Sequence, residues 1–188
     1  MTVIKYNLLN DRNKKLSANF TVKEFACKDG NVAVLIDDKL VNGLQKIRDH
    51  FGKSVRINSA YRTAAHNKAV GGSPNSQHLQ GKAADIVIAG VSPLKVAQYA
   101  EAIGMGGIGL YDGFTHVDSR DNKSKWDYRN GGKKNVASFG GQDQLTIASK
   151  PNYYDKVKQR FGLDDATMKY LAGYKYGEAL LGKLANGK

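Results

Sequence analysis

Ser76-Gln77-His78-Leu79-Gln80-Gly81-Lys82-Ala83-Ala84-Asp85 is the stretch from which the rest of the chain is read. It sets an imidazole and, seven positions on, a carboxylate at the start of an apolar run. A charged residue in an otherwise buried strand is costly unless it is paired or bound to a metal, so Asp85, inside Ala84 to Ile88, demands a partner. The later Phe114-Thr115-His116-Val117-Asp118 supplies a second imidazole. A catalytic zinc takes three protein ligands and leaves the fourth position open, and His78, Asp85 and His116 make such a set. Their spacing does not fit one helical face; it suits a loop followed by the start of a strand. Gly81 lets the backbone turn close to an ion, and Ala83 and Ala84 leave room beside it.

Two further groups complete a hydrolytic constellation. An ion held this way lowers the pKa of its water to about 7 and polarises a carbonyl, and hydrolysis then needs a base and a donor for the developing oxyanion. Asp118 shares a strand face with His116 because side chains repeat every two residues. It is the candidate base, with Asp112 in the preceding turn as the alternative. Arg62 follows the end of a strand and offers a fixed fork of donors to an oxyanion or a substrate carboxylate. His66 and His50 are read as structural, the latter favourably placed near a helix C-terminus. Cys27, the only cysteine, rules out an internal disulfide and is read as a small packed or partly exposed thiol.

Around these residues the pattern predicts mixed elements. Thr21-Val22-Lys23-Glu24 has capping-box spacing and opens a short helix, and Cys27 to Asn31 turns the chain. Leu40, Leu44, Ile47 and Phe51 recur at helical spacing behind Asp37-Asp38 and end at Gly52. Val55 to Ser59 alternates as a strand, residues 63–70 form a short helix, and Ser92-Pro93 begins another that stops at Gly104. Asp112-Gly113 between two alternating runs, Gly107 to Tyr111 and Phe114 to Asp118, is a hairpin signal. The expected organisation is one main domain over 1–130, a linker over 131–150 and a helical segment over 151–188. A segment that small needs to pack on the main domain or to self-associate.

The chain has 188 residues, 41% hydrophobic and 24% charged, which fits one ordinary globular core. No apolar run approaches the roughly 20 residues of a membrane span. Residues 1–15 lack a secretory signal pattern, which predicts synthesis in the cytoplasm. The net charge of +12 implies attraction to polyanions. No long basic tract or aromatic-basic motif accompanies it, so nucleic acid is not an expected partner.

The run Ser-x-His-x-x-Gly-x-Ala-x-Asp over 76–85, with His116, resembles peptidase family M15, the zinc D-Ala-D-Ala carboxypeptidases and L-Ala-D-Glu endopeptidases. Phe20 to Phe25, Leu44 to Arg48, Ser59 to Arg62, His66 to Gly72, Gly106 to Gly109 and His116 to Asp118 are similar to its small bacterial and phage branch. The likeness covers about residues 17–126. It implies an α+β fold, a small antiparallel sheet flanked by helices and shared with hedgehog signalling domains. It also implies zinc on His78, Asp85 and His116, with Arg62 contacting the substrate or transition state. Better-described branches carry an acidic residue three positions before the last histidine, where this chain has Gly113; Asp118 is placed only by the His-x-Asp motif. The tail, with Tyr153-Tyr154 and Tyr174-Lys175-Tyr176, resembles tails of phage lysins, and both wall anchoring and packing on the main domain stay open for it. The resemblance implies a monomeric zinc peptidase acting on the stem peptide of bacterial peptidoglycan, in the manner of a phage or prophage endolysin. Such an enzyme meets anionic wall polymers after release from the host cytoplasm, without membrane insertion. A zinc-containing but inactive wall-binding or phage structural protein is the alternative. The bond cut is left open.

Overall fold

The computed structural model describes residues 2–140, together with residues 157, 160–163 and 167. The chain divides into two compact units, Met1–Gly141 and Gln142–Lys188. In the second, the described residues at 157 and 160–161 are helical. The rest of the expected 151–188 segment, and the expected linker from 141 onward, lie outside the described residues.

The first unit is α+β. Two strands, β1 (Val3–Asn7) and β2 (Ala33–Asp37), pair antiparallel. Between them run α1 (Leu8–Asp11) and a 3-10 turn, Val22–Phe25, opened by a capping box in which the Thr21 amide donates to Glu24 Oε2 at 2.7 Å. The box is where the sequence puts it; the helix behind it is a single 3-10 turn whose Phe25 packs edge-on against Phe20, 6.2 Å between rings. β2 leads directly into α2 (Asp38–Phe51), capped by the Asp37 side chain and closed at Gly52 in the left-handed conformation. α2 buries Leu40, Val41, Leu44 and Ile47 on one face, each such side chain contributing roughly 1.5–3 kcal/mol of transfer free energy.

A six-stranded sheet follows, in the order β3 (Val55–Ser59), β4 (Ala83–Ile88), β6 (Thr115–Asp118), β5 (Gly107–Leu110), β7 (Ser124–Asp127) and β8 (Lys134–Asn135). All pairs are antiparallel except β5 with β7. Two helices join the strands: α3 (Ala64–Ala69) and α4 (Pro93–Ala102), the latter with Ser92 as N-cap and Pro93 in the first turn. One face of the sheet, through Ala84, Ile86, Ile88, Val117, Ile108 and Leu110, joins the core with Val96, Ala97 and Ala100 of α4. The opposite face carries the polar residues. Among the described residues no helix is long and apolar enough to cross a membrane.

Strands β1, β2, β7 and β8 were not apparent from the sequence pattern. β7 contains one buried residue, Trp126, and its strand character comes from pairing with β5, not from alternation. β8 begins at Lys134, within the stretch read from sequence as linker.

Candidate metal centre

Sheet register assembles the site. Ser59 pairs with Asp85, Asp85 with His116, His116 with Gly109, Gly109 with Trp126, and Trp126 with Asn135. One row of side chains therefore crosses all six strands on a single face. The next row on that face holds Ala83, Asp118, Gly107 and Ser124. His78 arrives from outside the sheet, on a 3-10 turn, Gln77–Gln80, that ends at Gly81 with φ +67°. A side chain at Gly81 would also collide with the backbone of Leu35. Its carbonyl accepts from the Asp37 amide at 3.0 Å, pinning the turn to the β2–α2 corner.

The three expected ligands converge. One donor atom from each of His78, Asp85 and His116 lies within 4.8 Å of the others, and all three residues are buried. Asp85 Oδ1 is 2.9 Å from His116 Nδ1 and 3.3 Å from His78 Nε2, and the two nitrogens are 3.3 Å apart. Zinc bonds of about 2.0–2.1 Å in tetrahedral geometry place ligand atoms roughly 3.3 Å from one another. The ring tautomers point the same way. His78 Nδ1 is 2.6 Å from the Ala60 carbonyl oxygen, which can only accept, so Nδ1 carries the proton and Nε2 a lone pair. His116 Nε2 faces Asp118 Oδ2 at 3.1 Å and donates to it, which turns the Nδ1 lone pair inward. Three electron-rich atoms thus share one small volume, an arrangement that fits a divalent cation.

Charge is managed on every side. Burial pushes the Asp85 carboxyl upward, but pairing with His116 and His78 outweighs it and holds it well below the usual range; this pairing needs a proton on the nitrogens that face Asp85, the position a metal ion would take instead. Its outer oxygen accepts from Arg62 Nη2 at 2.7 Å, while Arg62 Nε donates to Ser59 Oγ at 2.8 Å. Burial likewise opposes a charge on His116, yet Asp118 and Asp85 raise its pKa. A metal ion and the Nδ1 proton compete for the same lone pair in the same negative pocket. Asp118 is wholly buried and held at about 2, against the cost of burial, by His116 and Arg120. Arg120 Nε lies 2.8 and 2.9 Å from the two Asp118 oxygens, and the Arg120 amide adds a third contact at 3.1 Å.

Both oxygens of Asp118 are therefore engaged, one of them also by His116. Asp112 is exposed in the turn between β5 and β6. His66 lies on α3 and His50 stacks on Tyr99 at 3.6 Å; neither joins the ligand cluster. Cys27 is buried, accepting from the Thr63 amide at 3.4 Å.

Several residues of the site carried no sequence signal that was used. The Ala60 carbonyl is invisible to side-chain pattern. Arg120 extends the alternation His116, Asp118, Arg120, a parity that could have found it. Trp126 packs its ring 5.1 Å from that of His116, and Gly109 makes this possible, because a Cβ there would lie 2.5 Å from the indole.

Comparison with known proteins follows the same lines. A family model described as Peptidase M15 matches residues 18–118. A curated relative from Haemophilus influenzae, a probable peptidoglycan L,D-endopeptidase called MepK, is 34% identical over 94 residues, covering 45% of this chain and 50% of the relative. The chain thus spans about half the length of that relative. The matched span contains Arg62, the 76–85 motif and His116-Val117-Asp118, so the residues that form the cluster are those the family model covers, and the chain belongs to peptidase family M15.

Proposed function

We propose that this protein is a zinc-dependent peptidase that hydrolyses the stem peptide of bacterial peptidoglycan. The observation that carries it is the convergence of His78 Nε2, Asp85 Oδ1 and His116 Nδ1 at tetrahedral spacing, with both tautomers set by outer partners. A bound zinc supplies Lewis acidity, polarising a carbonyl and lowering the pKa of water to about 7. His78, Asp85 and His116 hold it. Arg62 presents the donors its Ser59 and Asp85 bonds do not use to an oxyanion or a substrate carboxylate. Asp118 positions His116 and keeps its Nε2 protonated; with both oxygens occupied, it reaches a substrate only by giving up Arg120.

Between exopeptidase and endopeptidase, the name of the Haemophilus relative favours cleavage within a peptide. The net charge of +12 suits an anionic wall surface, and the lysin-like tail supports a phage or prophage endolysin acting on the wall after release.

Incubation of zinc-loaded protein with purified peptidoglycan should release new amino termini, and mass spectrometry of the fragments identifies the bond. His78→Ala and Asp85→Ala should lose bound zinc and release nothing. Full release by either variant, or by chelator-treated protein, would sink the proposal. A second reading, an inactive zinc-containing wall binder, is favoured by Gly113 standing where other branches carry an acid and by the engaged oxygens of Asp118. It predicts zinc binding and wall adhesion with no new amino termini.

A further inference from the structure

A third row lies beside the ligand row on the same face. The Tyr111 amide donates to the Phe114 carbonyl at 3.1 Å, and the Tyr128 amide to the Leu110 carbonyl at 2.7 Å, so β5, β6 and β7 carry their register one residue further. Alternation then puts Tyr111 on the face of Gly109 and Gly107. Its ring stacks on Phe114 at 4.3 Å and 11°, and on Tyr128 at 5.4 Å and 24°. Held between two rings, the phenol has one orientation.

Its hydroxyl is partly committed. Trp126 Nε1 lies 3.2 Å from Tyr111 Oη. An indole nitrogen only donates, so the phenolic oxygen is the acceptor and its own proton must point elsewhere. Among the described residues nothing is seen to accept it. The same Trp126 rests against His116, so the indole joins the phenol to the ligand cluster. Tyr111 is half-buried, open enough for a ligand to reach.

We propose that Tyr111 is a further substrate-binding residue: it donates its phenolic proton to a backbone carbonyl oxygen of the bound peptide, next to His78, Asp85 and His116. Arg62 and Tyr111 then offer donors from opposite sides of the cluster, one charged and one neutral. A neutral donor adds direction without adding positive charge to the ion's own. This assignment rests on the peptidase reading above.

The test is Tyr111→Phe, which keeps the stacked ring and removes the donor. With a soluble stem pentapeptide, kcat/KM should fall by about 100-fold or more, the scale on which a single oxyanion donor acts. Calorimetry on the zinc-loaded protein should show weaker peptide binding, by about fivefold, which equals about 1 kcal/mol, the net worth of one hydrogen bond. Zinc affinity should stay at the parent value. Unchanged turnover and unchanged peptide binding would overturn the assignment. So would a loss of zinc affinity in step with turnover, which would make Tyr111 a mere support for Trp126 and His116. If the parent cleaves nothing, the peptidase reading fails by itself, and the peptide-binding comparison still decides the role of Tyr111.

Discussion

Replacing Gly109 by Ala should damage the site through packing alone. A Cβ at this position would lie 2.5, 2.6 and 2.7 Å from Cε2, Nε1 and Cζ2 of Trp126, atoms of a rigid indole that is itself 7% exposed. The ring has to move, and its bond to Tyr111 lies on the atom that is struck. Overpacking of a filled core costs about 1–3 kcal/mol, and losing the hydrogen bond about 0.5–1.5 kcal/mol. Alanine restricts the unfolded chain and returns about 0.4–1 kcal/mol. The net expectation is a loss of about 0.5–4 kcal/mol. Trp126 is the only tryptophan, so urea unfolding followed by its emission reads the perturbed residue directly. With a urea slope of about 1–3 kcal/mol per molar, a loss near 2 kcal/mol moves the midpoint by roughly 1 M. Gly113→Ala is the control on the same hairpin, since its Cβ meets nothing within 4 Å; it should stay within about 1 kcal/mol of the parent. Coincident midpoints and emission maxima for the two variants would refute the claim that Gly109 exists to seat the indole beside His116.

Other outcomes follow from the partners of the cluster. Asp118→Asn leaves His116 Nε2 and Arg120 with an amide in place of a carboxylate, and zinc affinity should drop about 10- to 100-fold; turnover that returns at saturating zinc marks a positioning role, whereas turnover absent at full zinc occupancy marks Asp118 as the base. Glu101 on α4 accepts from Lys125 Nζ at 2.6 Å, Ser138 Oγ at 3.1 Å and the Phe139 amide at 2.9 Å, tying the end of the first unit to its core. Burial raises its pKa, but these bonds prevail and lower it below the ordinary 4.5. Its stabilisation is therefore present above pH 4.5 and is lost as pH falls through the lowered value. Glu101→Gln should cost about 1 kcal/mol or more at pH 7, and the gap between the urea midpoints of variant and parent should narrow at pH 3; a gap of equal size at both pH values would contradict the assignment.

Much of this was legible in the residues themselves. Asp37 and Gly52 bracket α2 because a capping carboxylate and a left-handed glycine act locally, and Thr21 with Glu24 closes its box for the same reason. Asp85 was conspicuous because a carboxylate in an apolar strand needs a partner, and the parity of His116 and Asp118 is a property of any strand. What the sequence could not hold is register. Whether Asp85 stands opposite His116, and His116 opposite Gly109, depends on how strands far apart in the chain pair, and a one-residue slip would turn each side chain to the other face. The same holds for β7, whose parallel pairing with β5 brings Trp126 over Gly109, and for the Ala60 carbonyl that sets the His78 tautomer. The 76–85 stretch thus singled out His78 and Asp85 by composition and spacing alone, while the direction of the facing lone pairs, the engagement of Asp118 by Arg120 and the free proton of Tyr111 exist only once the sheet has formed. The reason is physical: capping and alternation are fixed by neighbours in the chain, whereas hydrogen-bond direction and tautomer are fixed by neighbours in space.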